Sequence, residues 1–97
     1  MGGFPPASWQ HITGTSDDGV VSAVPCRLVT VVVGTETAGQ TLALHDCAAE
    51  GDVAAGNKIA TVKLDSRATF DFRAAACRVG LVAVVSGGTP DITVVYA

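Results

Sequence analysis

The chain has 97 residues, enough for one domain and one core. It is apolar and poor in charge: 48% hydrophobic, 15% charged, 5% aromatic, with a net charge of −3 and a pI near 5.0. The six basic residues are scattered, which argues against a nucleic-acid partner. No apolar run reaches the length of a membrane-spanning helix, which argues against a membrane.

Residues 1 to about 18 read as an extended N-terminal arm. Gly2, Gly3, Pro5, Pro6, Gly14 and Asp17-Asp18 disfavour regular structure. Phe4, Trp9 and Ile12 are nevertheless large apolar groups. They are expected to be partner-binding anchors that dock on a neighbouring subunit, against the plainer reading of a loose end with one aromatic packed locally. The arm carries no basic stretch followed by an apolar one, so no signal peptide is expected.

From Gly19 the texture is β, and residues 19–97 read as one domain. Val20–Val24 is a short run ending at Pro25, and Cys26–Val33 follows, closed by 34–39. Thr41–His45 alternates, with Leu42 and Leu44 on one face. Asp46–Gly56 is a loop in which Gly51 limits any helix to a single turn. Ile59–Leu64 alternates again, and Asp65-Ser66-Arg67 turns the chain. Thr69–Arg73 puts Phe70 and Phe72 on one side. Cys77–Val85 and Ile92–Tyr96 flank a Ser86–Asp91 turn and read as a closing hairpin. Gly80, inside an apolar run, marks a bulge or a close backbone approach.

The fold class is therefore all-β: a small antiparallel β-sandwich, jelly-roll-like, of six to seven short strands. Leu28, Leu42, Leu44, Val62, Phe70, Phe72, Leu81 and Val94 are expected mostly inside. Arg27–Val33 and Val79–Val85 are apolar on both faces and need cover on both sides. With the low charge, this predicts a homo-oligomer, a dimer or trimer.

The candidate chemistry is thin. His45 and Cys47 would share a face if the strand continued, but a thiol–imidazole centre also needs an oxyanion site and a cleft. Asp46, Glu50 and Asp52 lack the ligand order of a calcium loop. His11, His45 and the three cysteines lack paired zinc spacing. No catalytic residue, metal or cofactor is expected. The odd cysteine count points to three free thiols of a reducing cytoplasm.

Taken in order, several segments form one pattern. They are Gly19-Val20-Val21, Arg27–Val33, Leu42–Asp46, Lys58–Val62, Phe70-Asp71-Phe72, Gly80–Val84 and Gly87–Tyr96. This pattern resembles small β-sandwich structural proteins of tailed-bacteriophage virions. The resemblance covers roughly residues 19–97 and has no catalytic signature. It implies a non-enzymatic capsid decoration, or cement, protein that binds the major capsid protein on the capsid exterior after assembly in the host cytoplasm. A head-fibre base or tail component is the nearest alternative. A carbohydrate-binding β-sandwich is another, although that class presents more exposed aromatics than five aromatic residues readily supply.

Overall fold

A computed structural model describes residues 8–13 and 19–97. They form eight strands: β1 (Ser8–Ile12), β2 (Gly19–Ser22), β3 (Cys26–Val33), β4 (Thr41–His45), β5 (Lys58–Lys63), β6 (Thr69–Cys77), β7 (Leu81–Ser86) and β8 (Ile92–Tyr96). Two short 3-10 turns, Glu50–Asp52 and Ala55–Asn57, are the only helical elements among the described residues.

The strands make two antiparallel sheets of four, ordered β1-β8-β3-β6 and β2-β7-β4-β5. The pairings are nested. β4 pairs with β5, β3 with β6, β2 with β7 and β1 with β8. The chain is thus one long hairpin rolled on itself, and the added pairs β3–β8 and β4–β7 close the roll. This strand order is that of a jelly roll.

The core lies between the sheets. Leu28, Val31 and Val33 of β3 meet Leu42 and Leu44 of β4, Leu81, Ala83 and Val85 of β7, and Ile92 and Val94 of β8. Alternation explains most of the selection, because residues two apart share a face, and the register shift at Val29 brings Leu28 and Val31, three apart, to the same side. Leu42 sits opposite Val62 and Val85, and Leu44 opposite Ala60 and Ala83, so inward residues meet in rows across the second sheet.

Four expectations change. There are eight strands, because Ser8–Ile12 of the expected arm is an edge strand of the first sheet, registered from Ser8 opposite Tyr96 to Ile12 opposite Ile92. Cys77–Val85 and Ile92–Tyr96 are not a hairpin: β7 and β8 lie in different sheets, and the turn between them crosses the sandwich. Both strands carry one strongly apolar face, and packing face to face buries those faces as pairing edge to edge would not. Phe70 and Phe72 are half-buried against the core, because β6 is an edge strand. The cover that β7 needs on its outer face comes from the chain itself. Val82 is fully buried on the outer face, beside its register neighbour His45, which the 46–57 loop holds.

β6 also carries the main irregularity. Three of its residues, Phe72, Arg73 and Ala74, stand opposite Val29 alone. Arg73 and Ala74 take left-handed backbone angles, φ 54° and 56°, costly for residues with a Cβ. The Asp71 carboxylate accepts the Arg73 N–H at 2.8 Å, and the Arg27 guanidinium donates to the Ala74 carbonyl at 3.1 Å. A bulge on an edge strand twists its free amides away from an incoming strand.

Candidate functional site

Two polar clusters sit at opposite ends of the roll. At one end, Asp46 leaves β4 and reaches the β6–β7 turn. Its carboxylate accepts the backbone N–H groups of Arg78, Val79 and Gly80 at 3.0, 2.8 and 3.2 Å. Burial alone would raise this carboxyl. The three N–H donors and the Arg78 guanidinium outweigh it and hold Asp46 below its ordinary value. Gly80 is needed beneath this clasp. A Cβ there would lie 2.6 Å from both the Cys47 and the Ser22 carbonyl oxygens.

The loop that follows is tied at its neck, where Asp46 N–H donates to the Asn57 carbonyl at 2.8 Å. Asn57 organises the interior. Its Oδ1 accepts the Ala54 N–H at 3.1 Å, and its amide donates to the Asp52 carbonyl at 2.8 Å. His45 Nδ1 lies 2.9 Å from that same Oδ1 and 3.1 Å from the Ala54 carbonyl. Two acceptors at one ring nitrogen place its proton there.

His45 and Cys47 therefore do not form a nucleophile and base. The imidazole turns to Ala54 and Asn57, while the buried Cys47 thiol contacts the Ala49 carbonyl at 3.6 Å. Burial pushes that thiol up, and the Asp52 and Asp46 carboxylates add to it, so the thiolate needed for attack is disfavoured. Among the described residues, no three metal-ligating side chains cluster. Asp46 is occupied by backbone donors, and the Glu50 carboxylate lies against Gly19.

At the other end, His11 of β1 donates from Nε2 to Asp91 Oδ1 at 2.7 Å, and the Thr35 hydroxyl donates to Oδ2 at 2.9 Å. The imidazole, then the hydroxyl, hold Asp91 below its ordinary value. Histidine and hydroxyl both spend their protons on one carboxylate. The trio fastens β1 and the β3–β4 turn to the start of β8. Arg67 and Glu36 form an exposed pair at 2.9 Å. Gln40 is buried nearby, against Gly88 and Thr37.

The open side of the sandwich, between edge strands β5 and β6, holds a shallow cleft of about 640 Å³. Ala60–Lys63 and Thr69–Phe72 line it. Lys63 and Asp71 are its charged groups, and Asp71 is committed to the bulge. The cleft offers apolar contact without a convergent acid, base or nucleophile.

The arm residues separate. Ile12 is fully buried in the chain's own core, which corrects its assignment as a docking anchor. Alternation along β1 points Ile12 inward, and its register partner Ile92 is buried with it. Trp9 points outward and is 68% exposed. Phe4 lies outside the described residues. Trp9 opens a row across the first sheet, Trp9-Val95-Thr30-Asp71, and the next row is His11-Thr93-Val32-Thr69. Asp71 is the only carboxylate in these two rows, and Val32 is 37% exposed.

No known protein family, curated protein or solved structure matches the chain. Among the described residues, no helix is long and apolar enough to cross a membrane.

Proposed function

We propose that the chain is a non-enzymatic virion structural protein, a capsid decoration protein that binds the major capsid protein with the outer face of its first sheet. The observation that carries this reading is the face itself: two rows of mostly Val and Thr, with His11 and Asp71 as their polar ends and Trp9 exposed at the edge. An exposed aromatic on a rigid strand is a low-entropy anchor. The polar clusters are spent on holding loops and strands together, in keeping with a scaffold. Weak contacts suffice when many copies sit on one lattice, and a two-fold or three-fold cluster strengthens each. The resemblance of the strand and turn pattern to phage virion proteins supplies the partner.

The test is co-sedimentation with the matching capsid. The wild-type protein is expected to pellet with capsids, and Trp9→Ala and Val32→Asp to bind at least tenfold more weakly with unchanged thermal transitions. Wild-type protein left in the supernatant at saturating concentration overturns the reading. Full binding by both variants moves the contact off this face.

A further inference from the structure

We propose that Cys26 and Cys77 are an oxidation site, a thiol pair that closes into a reversible cross-strand disulfide locking β3 to β6. Three observations lead there. Cys26 and Cys77 are direct register partners at one end of the β3–β6 ladder. Both side chains face the core: Cys77 belongs to the buried cluster and Cys26 packs against it. The Cys26 side chain also lies within hydrogen-bonding reach of the Cys77 thiol, which burial and this neighbour together push up to about 12.

The backbone fixes the spacing. Arg27 exchanges both of its backbone bonds with Ala97, at 2.9 Å each. Alternate residues of a strand point their N–H and C=O groups to opposite sides, so those of Cys26 point toward β6. Such a directly opposed, hydrogen-bonded pair has Cα atoms roughly 5.5 Å apart. Disulfides accept Cα separations of roughly 4.4–6.8 Å, so the bond needs little backbone movement.

Access sets the order of events. Cys26 is half-buried and Cys77 is buried, so an oxidant reaches Cys26 first. With hydrogen peroxide, the Cys26 sulfur takes one oxygen to become a sulfenic acid and releases water. The Cys77 sulfur, slow to ionise in its buried setting but held against Cys26, then displaces the sulfenic hydroxyl, which leaves with the Cys77 proton as a second water. Two thiols and one peroxide give one disulfide and two waters. A dithiol reductant reverses it. Cys47 lies outside this pair, bonded to Ala49.

The bond would close a loop of about fifty residues in the unfolded chain, which restricts that chain most and raises thermal stability. The experiment treats the full chain with hydrogen peroxide, then alkylates it after unfolding. Alkylation at Cys47 alone is expected, with a peptide linking Cys26 to Cys77. The melting temperature should rise by roughly 10 °C and return with dithiothreitol. Cys26→Ser, a change at the half-buried partner, should keep the reduced protein's melting temperature within a few degrees and abolish the rise. Three alkylated cysteines after peroxide, a link between two chains, a link through Cys47, or a melting temperature that falls on oxidation would each overturn the proposal.

Discussion

The two outer faces of this sandwich are built from similar residues and treated in opposite ways. On the second sheet the chain lays its own 46–57 loop beside the face, with His45 held beneath it and Val82 buried alongside. On the first sheet, Trp9 and Val32 stay exposed. Both faces exceed what a solvated sheet needs in apolar character, yet only one is answered from within the chain. A two-faced apolar strand is thus a demand for cover that says nothing of who supplies it.

The contrast breaks most readily at the clasp that seats the loop. Gly80→Ala should cost roughly 3 kcal/mol, because its Cβ meets two backbone carbonyls that cannot both withdraw. Urea unfolding measures it, and a loss below about 1 kcal/mol would show that the β6–β7 turn yields freely. Asp46→Ala should cost about 2 kcal/mol at pH 7 by stranding three amide donors. Its pH dependence has a defined sign. The folded carboxyl is depressed, so its contribution is complete above the unfolded value near 3.9 and is lost as pH falls through the lower folded value. The stability gap between wild type and Asp46→Asn should therefore narrow in strong acid. A gap that widens there contradicts the clasp.

Asn57→Ala loosens the loop from inside. It removes one of the two acceptors of the buried His45 and two loop bonds, at about 1–2 kcal/mol. Hydrogen exchange should then rise in residues 46–57 before it rises in β3. The smallest effect belongs to the bare face. Trp9→Ala should change stability by less than about 0.5 kcal/mol, the usual range for exposed positions. A loss above about 2 kcal/mol would place Trp9 among groups that hold the fold.

Much of the fold was legible because alternation reports faces. Leu42, Leu44, Val62, Leu81 and Val94 follow it and are buried. Gly80 announced a close approach, and the Gly51 region is limited to short turns as its composition indicates. Pairing was not legible. Period two fixes which way a side chain points and leaves open which strand lies beside it, hence the mistaken hairpin of β7 with β8. Ile12 was obscured by flanking Gly and Pro, though its alternation with Gln10 was a signal. The Asp46 clasp joins residues 32 to 34 apart, and the Cys26–Cys77 meeting depends on a register no spacing encodes.

The nested pairing has a kinetic meaning. Among the described residues, β4 and β5 are the only chain neighbours that pair, so theirs is the pairing with the shortest connection. Each later partner, β3 with β6, β2 with β7, β1 with β8, spans a longer stretch of chain and costs more closure entropy. Such a molecule folds from its middle outward and slowly, on the scale of milliseconds to seconds typical of sandwiches with distant pairings. The strand carrying Trp9 therefore docks last, and the bare face is complete only once the rest of the sandwich is in place.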